Sequence, residues 1–137
     1  MSLVLDSSVT LAWIYSDEST LPMKSVFERV TSTGAWVPGL WRLEVANVLE
    51  MAVRRGKVPS YFRDITLADL ALLEIRTDPD TNQHAWGATT QLAKRHRLTA
   101  YDAAYLELAL RRGLPLATLD EELRAAGAAE GVELLGQ

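Results

Sequence analysis

Short apolar runs alternate with stretches of helical periodicity along the chain, and this alternation constrains the fold more than any other feature of the sequence. Residues 2–5 are apolar and β-forming and end at Asp6, after which Val9, Leu11, Ala12, Trp13 and Tyr15 follow a helical period. The pattern predicts a helix over residues 18–30 with Pro22 in its first turn and Gly34 closing the connection. Ala35-Trp36-Val37 then reads as a brief buried strand stopped by Pro38-Gly39, and residues 40–55 as a long helix ended by Gly56. Beyond Pro59 the same reading gives a helix to residue 73, a strand over 74–77 and a helix over 81–96 weakened by Gly87. A helix from Thr99 to Arg112, a strand over 114–118, a short helix over 120–126 and a last strand over 132–135 complete it. Strand and helix in alternation favour an α/β domain with a mainly parallel sheet covered by helices. No repeat, low-complexity tract or linker interrupts the 137 residues, so one domain spanning 1–137 is expected.

Composition narrows the chemistry. The sequence has no cysteine, which excludes disulfides, thiolate metal sites and cysteine nucleophiles, so any metal must be held by oxygen or imidazole. No apolar run approaches the roughly 18 residues that span a bilayer, and Met1-Ser2-Leu3-Val4-Leu5-Asp6 lacks the basic start of a signal peptide. A cytoplasmic protein without membrane contact is therefore expected. The net charge of −4 argues against a polyelectrolyte that coats nucleic acid by counterion release. It leaves room for a nuclease, because a cluster of catalytic carboxylates would itself account for the excess.

Open α/β sheets bind ligands beyond the carboxyl ends of their strands, so an acid just after an apolar strand has a physical reason to point into a site. Asp6 follows Leu3-Val4-Leu5, and Asp120 follows Leu116-Ala117-Thr118-Leu119. Each is equally well placed to cap a helix N-terminus. Glu44 lies within the apolar helix that starts near Leu40, with Asn47 three residues on, and a carboxylate there must face solvent or a cation. Asp102 stands three residues after Thr99, the spacing of a capping box, before the small run Ala103-Ala104.

Four segments in order carry a family resemblance: Val4-Leu5-Asp6-Ser7-Ser8-Val9; Pro38-Gly39-Leu40-Trp41-Arg42-Leu43-Glu44-Val45-Ala46-Asn47-Val48-Leu49; Leu98-Thr99-Ala100-Tyr101-Asp102-Ala103-Ala104-Tyr105-Leu106-Glu107-Leu108-Ala109; and Leu116-Ala117-Thr118-Leu119-Asp120. In these motifs, which extend over nearly the whole chain, the sequence resembles the PIN-domain ribonucleases, and most of all the VapC toxins of VapBC toxin–antitoxin pairs. The resemblance implies a PIN-like three-layer α/β/α domain. It also implies that Asp6, Glu44, Asp102 and Asp120 form an acidic metal site, supported by the polar side chains Thr118, Ser7 and Asn47. Hard oxygen donors without cysteine or a histidine cluster favour Mg2+ or Mn2+. Such an ion would activate water for in-line attack on an RNA phosphodiester, a route that needs neither histidine nor the 2′-hydroxyl.

Lys94, Arg95 and Arg97, around His96, form the most basic cluster and are candidate RNA contacts, as is Arg42; a solvated helix end accounts for the cluster equally well. His84 and His96 lack the spacing of a histidine-based nuclease. The resemblance further implies a homodimer, and an antitoxin whose amphipathic segment fills an apolar groove; Trp13, Tyr15, Trp41 and Phe62 are candidates to line it. Two other readings stand beside the toxin. One is a housekeeping RNA-processing nuclease without an antitoxin. The other is a non-catalytic Mg2+-binding signalling module such as a receiver, disfavoured because the expected acceptor Asp and late Lys are missing. Neither a phosphate-binding Walker loop nor a glycine-rich dinucleotide turn is present.

Overall fold

A computed structural model of the protein describes residues 2–15 and 20–137. Five short strands, β1 (Val4–Leu5), β2 (Ala35–Val37), β3 (Ile75–Thr77), β4 (Leu116–Ala117) and β5 (Leu134–Leu135), form one sheet in the order β3-β2-β1-β4-β5. Every pairing is parallel, with Val4 opposite both Trp36 and Leu116. The chain builds outward from β1 in one direction through β2 and β3, then returns to the other side of β1 as β4 and β5. A switch point therefore lies between β1 and β4, where ligands of doubly wound sheets bind.

The helices are α1 (Ser7–Ile14), α2 (Leu21–Thr33), α3 (Trp41–Arg54), α4 (Ser60–Ala71), α5 (Thr81–His84), α6 (Thr90–His96), α7 (Ala100–Arg112) and α8 (Glu121–Ala129). Helices α1 to α4 pack on one another and α5 to α8 do likewise, the two layers that right-handed crossovers place on opposite faces of such a sheet in a three-layer α/β/α arrangement. The core runs through the middle strand, where Leu3, Val4 and Leu5 are completely buried, and through α7, where residues 103–109 are all buried. Truncating a β1 leucine to alanine would cost about 2–5 kcal/mol. Helix α4 has no fully buried residue and is a surface layer.

Most predicted elements form within a few residues of their expected limits, because each is fixed by a local stop. Gly34 ends α2 at φ +76, and a Cβ there would meet the Glu74 carbonyl oxygen at 2.6 Å, so only glycine lets β2 enter beside β3. The expected start of α2 at Glu18 lies outside the described residues; the described helix begins at Leu21, capped by Thr20. One helix differs in kind. The stretch expected as a single helix over residues 81–96 is α5, a π-helical segment over Ala85–Thr89, and α6, broken at Gly87 where φ and ψ are −107 and −106. Glycine without a Cβ tolerates this break, and the exposed Trp86 beside it offers no packing to resist it.

Candidate acidic active site

Asp6 leaves the end of β1 and is only 4% exposed. Its Oδ2 accepts from the Ser8 hydroxyl at 2.7 Å and the Thr118 hydroxyl at 2.8 Å, so β1 and β4 are tied across the switch point by one carboxylate oxygen. The Thr118 hydroxyl in turn accepts from the Asp120 N–H at 3.1 Å, and Ser8 Oγ accepts from the Leu119 N–H at 3.0 Å. Arg124 donates to the carbonyls of Thr118 and Leu135, at 2.7 and 3.0 Å, and fastens the ends of β4 and β5. These bonds favour the Asp6 anion, but burial outweighs them, and with the nearby charge of Asp120 it raises the Asp6 pKa.

Helices α3 and α7 bring two more acids. Glu44 sits in the first turn of α3, which departs from the carboxyl edge of the sheet after Pro38-Gly39. Burial, with the charges of Asp6 and Asp102, raises its pKa, while a hydrogen bond from the Tyr105 hydroxyl to Glu44 Oε1 opposes the rise. Asp102 sits in the first turn of α7, where its N–H donates to Thr99 Oγ1 at 3.1 Å. Burial and the charges of Asp6, Asp120 and Glu122 push its carboxyl up to about 6. Asp120 caps α8, its Oδ1 accepting from the Leu123 N–H at 2.8 Å, so here the cap and the acidic site use the same residue.

The four acids picked out in the sequence thus act on one another's charge, and no ion pair among the described residues involves any of them. Their donor chemistry, carboxylate and hydroxyl oxygen, fits a hard divalent cation. The fit is one of donor type and charge: no three Asp, Glu or His side chains among the described residues are already gathered closely enough to hold an ion.

Of the supporting residues, Thr118 bonds Asp6 directly. Ser8, which the sequence reading passed over, is the serine whose hydroxyl serves the Asp6 carboxylate; Ser7 contributes its backbone N–H there, while its hydroxyl acts on the Tyr105 phenol. Asn47 is exposed. Tyr105 and Glu122 were also passed over. Their signals were a phenol within the buried run of α7 and a second acid in the first turn of α8.

The basic candidates divide. Arg95 pairs with Glu130 at 2.8 Å, as does His96 at 2.7 Å, and these contacts tie the end of α6 to α8. Arg42 lies over the Trp41 ring and donates to Thr77 Oγ1 and the Ile75 carbonyl at 3.4 Å each, which holds α3 to β3. Lys94 and Arg97 remain exposed.

The aromatic candidates divide as well. Trp13 and Phe62 line one groove of about 310 Å³ with Ile14, Phe27, Leu70 and Leu73, where Trp13 meets Phe27 edge-on at 5.2 Å. Trp41 is instead a core residue, 3% exposed, its Nε1 donating to Thr10 Oγ1 at 3.3 Å. Tyr15 caps the end of α1, half-buried, and does not line the groove.

A five-stranded parallel sheet with acids at its switch point defines a doubly wound α/β protein with an anionic edge. Residues 3–129 match the PIN domain, and the chain belongs to the PIN-domain family, a family of nucleases that generally use divalent metal ions. No curated protein sequence matches it. Its fold is similar to that of PAE2754 from Pyrobaculum aerophilum, at 22% identity and a TM-score of 0.68 over 92% of this chain and 84% of that one. It is also similar to a chain of VapBC2 from Rickettsia felis bound to a DNA fragment from its promoter, at 11% identity and a TM-score of 0.65 over 98% and 97%. Among the described residues, no helix is long and apolar enough to cross a membrane.

Proposed function

We propose that this protein is a metal-dependent endoribonuclease acting as the toxin of a type II toxin–antitoxin pair in the cytoplasm. The observation that carries the reading is the set of mutually repelling carboxylates Asp6, Glu44, Asp102 and Asp120 at the switch point of the sheet, with no basic side chain among the described residues paired to any of them. Crowded carboxylates repel one another and an incoming phosphate alike, and a divalent cation relieves both. Mg2+ or Mn2+ bound there would supply a Lewis acid and an activated water for attack on phosphorus. Asp6, Glu44, Asp102 and Asp120 are the ligands in this reading, and Thr118 and Ser8 fix the Asp6 carboxylate through Oδ2. Of the basic candidates, the exposed Lys94 and Arg97 are the ones assigned to hold RNA backbone.

The toxin assignment is supported by family membership and by the apolar groove at Trp13 and Phe62, whose size and lining suit an amphipathic antitoxin segment. The similarity to a chain from a VapBC2 complex points the same way. A homodimer belongs to the same proposal. RNA cleavage by wild type and Asp6→Asn, each with Mg2+, with Mn2+ and with chelator, tests the chemistry. Wild type should cut only with metal and leave 5′-phosphate and 3′-hydroxyl ends. Equal cutting by both proteins, cutting in chelator, or 2′,3′-cyclic phosphate products would each defeat it. A short upstream reading frame with a DNA-binding N-terminus would separate the toxin from a housekeeping nuclease.

A further inference from the structure

The buried run of α7 carries a polar group that the proposed chemistry has not used. Residues 103–109 are all buried, and five of these seven are alanine or leucine. Of the two polar side chains, Glu107 is answered by Arg111 one turn away at 2.8 Å. The other is Tyr105, whose residue is completely buried. Phenylalanine would fill the same space, and a buried hydroxyl is costly unless it finds a partner. The Tyr105 hydroxyl finds Glu44 Oε1, joining α7 to α3 across 61 residues of sequence. Only one carboxylate oxygen is engaged, and among the described residues Oε2 has no hydrogen bond.

A glutamate is long and loses substantial rotamer freedom when it is fixed, so a carboxylate meant to act as a ligand gains from an anchor that removes this freedom beforehand. Asp6 has such anchors in Ser8 and Thr118, both on Oδ2. Glu44 has one in Tyr105. We infer that Tyr105 is the positioning residue for Glu44, its phenol hydroxyl holding Oε1 so that Oε2 is left as the ligand for a divalent cation in the acidic crevice. This inference rests on the metal-nuclease reading above.

Calorimetric titration with Mn2+ tests it on wild type, Tyr105→Phe, Glu44→Gln and the double variant. Tyr105→Phe keeps the ring and removes one oxygen. It should weaken Mn2+ binding about tenfold or more, the usual effect of losing an outer partner of a metal ligand. In the Glu44→Gln background the same change should do nothing further, because its effect passes through Glu44. Where Glu44→Gln binds too weakly for calorimetry, the rise in melting temperature at millimolar Mn2+ gives the same comparison. Unchanged affinity in Tyr105→Phe would overturn the inference, as would an equal loss in both backgrounds. So would a Tyr105→Phe protein that fails to fold without metal, since the hydroxyl would then serve the core. Wild type that binds no Mn2+ would overturn the metal reading itself, and the role of Tyr105 with it.

Discussion

Asp6 and Asp78 occupy equivalent places, each the residue that follows a strand of the same parallel sheet, and both are buried, yet their surroundings are electrostatically opposite. Asp78 accepts from Arg111 at 2.6 and 3.2 Å and from Arg112 at 3.0 Å; Arg112 also lies 3.6 Å from the centroid of the Trp36 ring. Burial favours the neutral form of Asp78, but the two guanidiniums outweigh it and hold its carboxyl below the usual range. Among the described residues Asp6 receives only hydroxyls and a backbone N–H, and it faces other acids and is held above that range. A buried acid with its counter-charge built in is structural. A buried acid among like charges stores a cost that something outside the chain must offset, which is the electrostatic signature of a functional site.

This contrast can be broken in several ways. The largest expected effect is on activity: Asp6→Asn should lower RNA cleavage about a hundredfold or more while leaving metal-free stability unchanged or improved, as read by product yield and by melting. A lower melting temperature for this variant without metal would place Asp6 in the structural class. Asp78→Asn should do the reverse, costing about 2–4 kcal/mol of unfolding free energy in urea, because the partly buried Arg112 guanidinium loses its ion pair and Arg111 keeps only Glu107. If it matched wild type, the arginines would have found solvent and the contrast would collapse. Addition of Mn2+ sharpens the comparison further. At ten times its dissociation constant the ion should stabilise wild type by about 1.4 kcal/mol and Asp78→Asn by the same increment, but not Asp6→Asn.

The smallest effect is on pH dependence, and it has opposite signs at the two places. Asp102 is raised from 3.8 to about 6, so folding disfavours its ionised form. Its stabilising contribution is complete below pH 3.8 and lost as pH rises through about 6. Asp78 is lowered, so its contribution is present above 3.8 and lost as pH falls through its folded value. Between about pH 4 and 6, metal-free wild type should therefore lose about 1 kcal/mol relative to Asp102→Asn, a figure reduced for the half-exposure of the group. Parallel melting profiles for the two proteins over this range would show that neither burial nor its acidic neighbours raise the Asp102 carboxyl.

The four acids were legible in the sequence because each stands at a position that local rules mark, after an apolar strand or in the first turn of a helix. Tyr105 was not, since its spacing along α7 is that of a core residue and its hydroxyl has meaning only against Glu44, 61 positions away. Ser8 in place of Ser7 was missed for a related reason: both follow Asp6 closely, and only the packing of β4 beside β1 decides which hydroxyl meets its carboxylate. Arg42 and Arg95 read as surface or site residues, and Trp41 as a core or groove residue, until their partners on β3, at the end of α8 and on α1 were in place.

By itself the sequence determined most strands and helices to within a few residues, though not the break at Gly87, and which acids stand at their junctions, because glycines, prolines and changes of period act locally. The tertiary structure alone decided that the strands order as β3-β2-β1-β4-β5 and that one buried acid meets arginines while another meets acids. Those outcomes depend on charges and hydroxyls from distant segments, and their energies act through space rather than along the chain.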